Sequence, residues 1–380
     1  MKSEPILIVD DQEDQRYFLK SVLKQLRCEI LEACSGKEAF EILEQKKIAL
    51  ILLDIQMPLM NGIDTAKHIR AIKLCEQTPI LFMSASRQSE NDIFTGYQSS
   101  AVDYLLKPLA PPIVLSKVKV FLDLHHQKKE LEKRNQELQD DLNLASEFQR
   151  SILPKVYKTP FLDIATRYIP YGGVSGDIYE MSLNREGDLC VFLGDATGHG
   201  IAAAFMTMMI QIGVGNLRHD LPTHEAIRTL NRLLASRETG KSVTGICLKI
   251  SSLGHLSATH AGHPPLIIIP HAHPNEPVIF QEGGCPLGMF FEEVVPYMDE
   301  NYLLREGDKV FLYTDGVIEW SNAQGELFGI HRMSQFLSKH HHLQLDSILS
   351  QLIESLHIFS QGLPCKDDLT VLAFTYQSCR

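Results

Sequence analysis

The sequence predicts three consecutive regions: an α/β doubly wound domain with a five-stranded parallel sheet, a long helical linker, and an α+β domain built as a layered β-sandwich. Three observations predict this order. Short apolar runs alternate with helix-like stretches up to about residue 122. Neither glycine nor proline then occurs between Pro112 and Pro154, and hairpin-like pairs of apolar runs follow. We therefore expect domains at residues 1–122 and 154–380, joined by a linker at 123–153.

The parallel sheet of the first domain is predicted from five apolar runs. They are Pro5–Val9, Ile30–Ala33, Ile48–Leu53, Pro79–Met83 and Val102–Leu106. Runs that are apolar throughout are typical of parallel strands, which helices cover on both faces. Alternation with helix-like stretches predicts five helices as well.

Polar residues end or follow four of these strands, and in a doubly wound sheet functional groups gather at the carboxyl ends of the strands. These residues are Asp10, Asp11, Asp54, Ser84 and Lys107. Carboxylates brought together repel one another unless a cation neutralises them, and Mg²⁺ prefers such oxygen ligands. The pattern predicts that Asp54 attacks a phosphoryl donor while Lys107 and Ser84 bind the phosphate oxygens.

The linker is expected to be one long helix, because its composition changes to Leu, Gln, Glu and Lys. A heptad repeat runs through Leu124, Leu131, Leu138, Ala145 and Ile152. Asn135 stands at a companion core position, so the pattern indicates a short coiled coil and a homodimer through the linker helix. Lys128 and Gln149 weaken this seam. The alternative is an amphipathic helix packed against the C-terminal domain of its own chain.

The second domain combines β-hairpins with helices. Ser242–Ile250 and His255–His260 form a predicted hairpin around Ser-Ser-Leu-Gly, and helices are expected near 199–217, 222–236 and 331–358. The βαβ alternation of a parallel sheet does not occur, which favours a layered α+β sandwich.

Four acidic motifs are spread over this domain. They are Gly176-Asp177, the run from Gly194 to Gly200, Tyr313-Thr314-Asp315-Gly316 and Asp367-Asp368-Leu369-Thr370. Each motif alone is typical of a turn. Together, several carboxylates at strand ends predict two Mg²⁺ or Mn²⁺ ions that activate water and neutralise a phosphate.

Composition excludes some classes of function. A formal charge of −11 argues against a DNA-binding output, which needs a basic surface for phosphates. The eight cysteines contain no Cys-x-x-Cys pair, so reduced thiols are expected. The N-terminal residues lack the apolar stretch of a signal peptide, and Ile201–Val214 is shorter than a membrane span. We therefore expect a cytoplasmic protein that binds neither DNA nor membrane.

The first domain resembles the receiver domain of two-component response regulators over residues 3–122. The matching motifs are Asp10-Asp11, Asp54-x-x-Met57-Pro58-x-x-x-Gly62, Ser84-Ala85 and Tyr104-x-x-Lys107-Pro108. This resemblance implies that Asp54 is the phosphoacceptor, that Asp10 and Asp11 bind Mg²⁺ beside it, and that Ser84 and Tyr104 form a switch pair. It also implies a cis Lys107-Pro108 peptide and a sensor histidine kinase or other phosphodonor. The alternative is a flavodoxin-like domain with a chance acidic edge.

The second domain resembles the metal-dependent protein phosphatases of the 2C type (PPM), in the bacterial branch that acts on partner-switching regulators of sigma factors. The resemblance covers about residues 140–378. Besides the acidic motifs it includes Glu147-Phe148-Gln149-x-x-Ile152-Leu153-Pro154, the HAGHPP run from His260, and the loop from Gly283 to Gly288.

This second resemblance implies a set of metal ligands. Asp177 and Asp195 are the main ones, joined by the backbone carbonyl of Ala196; Asp315 and Asp367 complete the site. Asp368 is a candidate hydrogen-bond acceptor behind it. The chain departs from the family at Ser175, Glu180 and His260, where glycine, aspartate and asparagine are common. The role of His199 is left open, and neither a phosphate-binding arginine nor a general acid can be assigned.

Two functions remain after this comparison. The first is an enzyme in which phosphorylation of Asp54 controls, through the linker helix, a protein serine/threonine phosphatase whose expected substrate is an anti-sigma-factor antagonist. The second is a non-catalytic phosphatase-like adaptor that binds a sigma factor or its regulator. Phosphatase-like domains that have lost catalysis normally lack metal ligands. All four acidic ligands are present here, which favours the enzyme; they are Asp177, Asp195, Asp315 and Asp367.

Overall fold

The computed structural model describes residues 4–72, 75, 77–85, 103–154, 159–198, 200–218, 220–235, 240–280, 283–290 and 296–378. Contacts divide the chain into two compact units, Met1–Glu137 and Leu138–Arg380. The boundary between the units falls inside one long helix.

The N-terminal unit contains a parallel five-stranded sheet in the order β2-β1-β3-β4-β5. Its strands are β1 (Ile6–Val9), β2 (Ile30–Ala33), β3 (Leu50–Asp54), β4 (Ile80–Ser84) and β5 (Asp103–Leu106). Its helices are α1 (Glu13–Leu23), with a 3-10 turn at Lys24–Leu26, then α2 (Gly36–Leu43) and α3 (Gly62–Ala71). Alternate strand residues enter two apolar clusters, one on each face of the sheet.

The predicted doubly wound sheet is therefore present, with all five strands in the predicted places. Val102, predicted to begin the fifth strand, lies outside the described residues. The same is true of the helix expected between the fourth and fifth strands.

The linker is a single helix, α4 (Pro111–Ile152), as the absence of glycine and proline predicted. Near its start, Val114 and Val118 are buried in an apolar cluster of the parallel-sheet unit. In its middle, Leu124, Leu131 and Leu138 are 53%, 60% and 55% exposed. The helix is thus packed within its own domain at its beginning, whereas its central leucines remain exposed. The coiled coil stays a prediction.

The C-terminal unit contains two antiparallel sheets, in the orders β13-β10-β9-β8-β7 and β12-β11-β14-β15-β6. Its strands are β6 (Leu162–Ile169), β7 (Asp177–Leu183), β8 (Leu189–Ala196), β9 (Val243–Ile250), β10 (His255–Ala261), β11 (Ile267–Ile269), β12 (Val278–Ile279), β13 (Glu300–Leu303), β14 (Lys309–Tyr313) and β15 (Leu369–Tyr376). Its helices are α5 (Ile201–Gly215), α6 (Thr223–Ala235), α7 (Asp315–Ile318), α8 (Gly329–His340) and α9 (Leu345–Phe359). Within the described part of the chain, no helix is both long and apolar enough to cross a membrane.

The two sheets pack face to face, and helices cover both outer faces. One apolar cluster lies between the sheets. A second lies beneath α5 and α6, and a third beneath α8 and α9. Every residue of β14 is buried, because a strand in an inner layer is covered on both faces. This four-layer arrangement confirms the predicted α+β sandwich.

The helix predicted near residues 331–358 is two helices, α8 and α9, separated by a turn after His340. One continuous helix over that range would be about 42 Å long. The longest strands beneath it contain eight residues and span about 27 Å. A reversal of the chain therefore lets both helices bury apolar side chains in the same cluster.

Candidate active sites

Three carboxylates meet at one edge of the parallel sheet. Asp10 and Asp11 follow β1 and Asp54 ends β3, and these strands are neighbours. Each of the three aspartates offers an oxygen atom within 4.8 Å of the others. Asp10 and Asp54 are buried, and Oδ1 of Asp11 is a buried atom with no hydrogen-bond partner. An oxygen without a donor beside two other carboxylates fits a Mg²⁺ ligand.

Lys107 is the cation of this site. Its Nζ lies 3.0 Å from Oδ2 of Asp54 and 3.1 Å from Oδ2 of Asp10. Burial raises the pKa of Asp54, and the Lys107 ammonium opposes this shift only in part. The predicted cis peptide between Lys107 and Pro108 is present. The sheet therefore brings together a buried carboxylate, two further acidic groups and one cation, as the strand ends predicted.

Gly62 has a role that its place in the motif did not explain. A Cβ atom added there would lie 2.1 Å from the carbonyl oxygen of Asp54. The Gly62 N–H also donates to the carbonyl of Ile55 at 2.9 Å. Only glycine allows the chain to return this closely to the end of β3.

Ser84 ends β4, next to β3, and Tyr104 lies on the edge strand β5. Both side chains are half-buried. The Tyr104 ring stacks on Phe82 with 5.9 Å between the ring centroids. Their action as a switch pair stays a prediction.

In the C-terminal unit, two predicted metal ligands lie opposite each other on paired strands. Asp177 begins β7 and is the direct partner of Asp195 near the end of β8. The Ala196 N–H donates to the carbonyl of Gly176 at 3.0 Å, which continues this ladder. The ladder explains how two motifs that are separate in sequence form one site.

Two threonines orient Asp177, and sequence reasoning assigned neither of them. The hydroxyl groups of Thr314 and Thr370 both donate to Oδ2 of Asp177, the first at 2.8 Å. Thr314 follows β14 and Thr370 lies on β15, so these donors come from the other sheet. Oδ1 of Asp177 is buried without a hydrogen-bond partner. The carboxylate is therefore held through one oxygen, and the other is left as a candidate metal ligand.

The remaining carboxylates are close enough for their charges to shift the pKa of Asp195. Burial and the charges of four other aspartates raise the pKa of Asp195 to about 9. Those aspartates are Asp177, Asp315, Asp367 and Asp368. Burial and the nearby Asp367 raise the pKa of Asp315 to about 6. Clustered carboxylates that oppose one another's ionisation fit a site for cations.

The carboxylates of this second site are more widely spread than those of the first. Among the described residues, only Asp10, Asp11 and Asp54 form a group of three with ligand atoms all within 4.8 Å. A pair of ions a few ångströms apart has more dispersed ligands than a single ion. The spacing is therefore compatible with the predicted two-ion site.

Asp368 accepts hydrogen bonds from backbone N–H groups next to the predicted metal ligands. Its two oxygens accept hydrogen bonds from the N–H groups of Tyr171 and Gly176, each at 2.6 Å. A Cβ atom added to Gly316 would lie 2.0 Å from the Asp368 carbonyl oxygen. The Thr314-Asp315-Gly316 and Asp367-Asp368 motifs are thus in direct backbone contact.

The three departures from the family pattern lie in different surroundings. The hydroxyl of Ser175 accepts the N–H of Asp177 at 3.1 Å. Glu180 lies three residues after Asp177, on the opposite face of β7, and its Oε2 is 3.5 Å from Nε2 of Gln211. His260 is buried, and burial lowers its pKa to about 4. His199 lies outside the described residues.

Comparisons with known proteins match different families to the two parts of the chain. Residues 6–119 match the response regulator receiver domain family. The transcriptional regulatory protein SrrA of Staphylococcus aureus is 41% identical over 120 residues, which are 32% of this chain and 48% of that protein. The chain spans about half the length of the curated relatives it matches.

Two solved structures resemble the C-terminal unit. The SiaA-PP2C domain of Pseudomonas aeruginosa is 19% identical with a TM-score of 0.56, covering 64% of this chain and 99% of that one. A structure of RsbU and RsbW domains from Mycobacterium tuberculosis is 22% identical with a TM-score of 0.51, covering 58% of this chain and 61% of that one. At these identities the likeness shows the fold.

The fold and the two acidic sites define a response regulator whose receiver domain is fused to a phosphatase domain of the 2C type. Residues 185–377, about half of the chain, match the family described as stage II sporulation protein E (SpoIIE). The chain belongs to the SpoIIE family.

Proposed function

We propose that this chain is a response regulator in which phosphorylation of Asp54 controls a metal-dependent protein serine/threonine phosphatase. The observation that carries the proposal is the cluster formed by Asp177, which is buried, and by Asp195 and Asp315, which are half-buried. Their pKa values are raised by burial and by one another, and Oδ1 of Asp177 has no hydrogen-bond partner. Titratable groups perturbed in this way are typical of functional sites.

The residues that would hold two Mn²⁺ or Mg²⁺ ions are Asp177, Asp195, Asp315, Asp367 and the carbonyl of Ala196. In the receiver, Asp10, Asp11 and Asp54 would hold one Mg²⁺. The phosphatase ions supply a water that is acidic enough to ionise near neutral pH, together with positive charge for the phosphate.

The protein's own groups fix the ligands. Thr314 and Thr370 hold Oδ2 of Asp177, so this carboxylate presents Oδ1. Asp368 holds the Gly176 N–H at 2.6 Å and thereby the start of β7. In the receiver, Lys107 contacts the carboxylates of Asp54 and Asp10, where it would bind an oxygen of the new phosphoryl group.

The substrate is a phosphoserine or phosphothreonine on a protein, and an anti-sigma-factor antagonist is the favoured candidate. Membership of the SpoIIE family and the likeness to a structure with RsbU and RsbW domains support this choice. A sensor histidine kinase or another phosphodonor would phosphorylate Asp54. A homodimer through α4 would bury the exposed Leu124, Leu131 and Leu138.

The enzyme is tested by hydrolysis of a chromogenic phosphomonoester in Mn²⁺ and in chelator. We expect metal-dependent turnover that Asp195→Ala abolishes. Asp220→Ala is the matched control, because Asp220 is exposed and its carboxylate pairs with Arg218 at the surface. If neither the phosphomonoester nor a phosphoprotein is hydrolysed, even with the receiver phosphorylated, the chain is a non-catalytic adaptor.

The regulation is tested with Asp54→Ala, which removes the phosphoacceptor and leaves the phosphatase carboxylates unchanged. We expect a phosphodonor to alter the turnover of the wild type and of Asp64→Ala, whose side chain on α3 is half-exposed and pairs with Lys67. Asp54→Ala should not respond. Equal responses of all three proteins would refute control through Asp54.

A further inference from the structure

The two residues that follow Ala196, Thr197 and Gly198, are exposed, and a cation lies against them. Lys241 is exposed just before β9, and its Nζ donates to the carbonyl of Thr197 at 3.2 Å. A Cβ atom added to Gly198 would lie 3.2 Å from the same Nζ. The ammonium group therefore contacts the chain within two residues of Ala196, whose carbonyl is a proposed metal ligand.

The backbone on both sides of this contact is held in place. The N–H and the hydroxyl of Thr197 donate to the carbonyl of Ser242 at 2.9 and 3.0 Å. The same hydroxyl accepts the N–H of Ser242 at 3.2 Å. Ser242 directly follows Lys241, and β9 pairs with β8 so that Thr244 lies opposite Asp195. The Lys241 side chain thus extends from backbone in fixed register with a proposed metal ligand.

Gly198 connects the ammonium group to the oxygens of the metal site. A Cβ atom added to Gly176 would lie 2.9 Å from the carbonyl oxygen of Ala196, 3.1 Å from Oδ1 of Asp195 and 3.2 Å from the carbonyl oxygen of Gly198. These three oxygens surround one point. Gly198 therefore has the ammonium of Lys241 beside its Cα atom and two proposed ligands beside its carbonyl, which places the cation at the edge of the ligand cluster.

A phosphomonoester needs positive charge here beyond that of two metal ions. Five aspartates contribute to the electrostatics of the site, and when ionised they carry more negative charge than two divalent ions neutralise; they are Asp177, Asp195, Asp315, Asp367 and Asp368. The phosphomonoester dianion adds further negative charge. A cation at the edge of such a site attracts the anion, and a lysine ammonium binds phosphate oxygens as a point charge with three N–H donors.

We propose that Lys241 binds the phosphoryl group of the substrate, so that the metal ions and this ammonium hold a phosphomonoester dianion together. This inference rests on the proposed function and names a residue that holds its substrate, for which sequence reasoning found no arginine. The contact is made to the phosphate before hydrolysis and persists during it. Loss of Lys241 should therefore raise KM much more than it lowers kcat.

A purely structural role makes a different prediction. If Lys241 only secures the backbone through the carbonyl of Thr197, its loss lowers stability and leaves the phosphate affinity of the metal-loaded protein unchanged. Lys241→Met removes the charge, Lys241→Gln is neutral but keeps an N–H donor, and Lys241→Arg keeps the charge. Lys339→Met is the matched control, because Lys339 is an exposed lysine in the last turn of α8. Exposed positions of this kind tolerate substitution without loss of the fold.

Binding of inorganic phosphate to the full-length protein is the first measurement, because it does not depend on turnover. Trp320 is the single tryptophan of the chain and is buried in the C-terminal unit. Its fluorescence follows urea unfolding of this unit at saturating Mg²⁺ and increasing phosphate. The rise of the unfolding free energy gives the phosphate dissociation constant. The same titration in chelator measures the general stabilisation that phosphate produces as a salt.

We expect Lys241→Met and Lys241→Gln to raise the phosphate dissociation constant about tenfold, as for the loss of a hydrogen bond to a charged group. Lys241→Arg and Lys339→Met should bind phosphate like the wild type. In hydrolysis of a chromogenic phosphomonoester, KM should rise by a similar factor in the two neutral variants. Wild-type phosphate affinity and KM in Lys241→Met, or rescue by Lys241→Gln, would overturn the proposal.

The outcome for the wild type separates this inference from the proposed function. If the wild type neither binds phosphate with Mg²⁺ nor hydrolyses a phosphoester, both are wrong. If it binds phosphate without hydrolysis, the proposed enzyme fails and the Lys241 variants still decide the role of this residue. If it hydrolyses while Lys241→Met matches it in phosphate affinity and KM, only the role of Lys241 is refuted.

Discussion

Replacing Thr370 with valine removes one of the two hydroxyl groups that donate to Oδ2 of Asp177 and leaves that of Thr314 at 2.8 Å. Valine has nearly the same shape as threonine, so the fully buried site keeps its packing. The change therefore isolates one hydrogen bond to a carboxylate that is proposed to bind metal.

The expected size of the effect follows from the charge of the acceptor. A hydrogen bond to a charged group contributes about 1.5–3 kcal/mol, and about 1.4 kcal/mol is a factor of ten in an equilibrium constant. The Thr370 hydroxyl also lowers the pKa of Asp177 against the effect of burial. Without it a proton competes more strongly with the metal. We expect the Mn²⁺ dissociation constant to rise at least about tenfold.

Thr314→Val is the informative comparison, because the Thr314 hydroxyl has a second partner. It accepts the N–H of Thr370 at 3.0 Å. Its removal leaves a buried N–H unpaired, which costs about 1–3 kcal/mol of unfolding free energy in addition to the loss of metal affinity. The double variant should be non-additive, since both hydroxyl groups share one acceptor.

The assay is Mn²⁺-dependent urea unfolding followed by Trp320 fluorescence, which reads only the C-terminal unit. Unfolding in chelator measures the stability of each variant separately from its metal affinity. The reasoning is refuted if Thr370→Val binds Mn²⁺ within about twofold of the wild type, a difference of roughly 0.4 kcal/mol.

Three further predictions concern the same two sites. Asp195 has a folded-state pKa of about 9, above the ordinary value of 3.8, so near neutral pH the folded state retains a proton that the unfolded state has lost. In chelator, the unfolding free energy of the C-terminal unit should therefore fall by about 1.4 kcal/mol between pH 7 and 8 from Asp195 alone, and by less between pH 8 and 9, where Asp195 begins to ionise in the folded state. His260 and His263, with pKa values of about 4 and about 3, stay neutral throughout this pH range in the folded protein. Urea unfolding at several pH values should therefore give a clearly shallower slope for Asp195→Asn. An unchanged slope would contradict the assignment of this pH dependence to Asp195. Gly316→Ala should abolish Mn²⁺ binding because its Cβ would lie 2.0 Å from the Asp368 carbonyl oxygen, whereas Gly283→Ala, with no atom within 4 Å, should leave the Mn²⁺ titration unchanged. Gly62→Ala places a Cβ 2.1 Å from the Asp54 carbonyl oxygen, so phosphorylation by a small-molecule phosphodonor, measured by phosphate-affinity gel shift, should be lost, and wild-type labelling would show that the loop tolerates the side chain.

The receiver fold and its acidic edge could be predicted almost completely from the sequence. Each strand is a local apolar run, and the residue that ends or follows it is read directly from the chain. Because parallel strands place their carboxyl ends at one edge, local information was enough to bring Asp10, Asp54 and Lys107 together.

The phosphatase carboxylates were found as motifs, but the groups that orient them were not. Thr314 and Thr370 stand inside two of those motifs, yet their acceptor is 137 and 193 residues away. A threonine beside an aspartate is a weak signal, since the same pair is typical of ordinary turns. Only the packing of one sheet against the other brings these hydroxyl groups to Asp177.

The long helix α4 shows the same limit of sequence analysis, which does not reveal contacts between distant parts of the chain. Its existence follows from composition, and the heptad pattern marks one face. Gln149 was read as a defect in that face, whereas it is buried against Ser175 and Thr207. Periodicity describes which residues share a face and carries no information about what covers it.

The order of the domains, the strand ends and the acidic residues can be derived from local patterns along the chain and from the rules of sheet connection. The folded chain is needed to show which oxygen of Asp177 accepts hydrogen bonds, which one is left for a ligand, and which backbone segments need glycine. Those properties depend on contacts between atoms far apart in the chain, and hydrogen bonds and close approaches of this kind leave no local pattern.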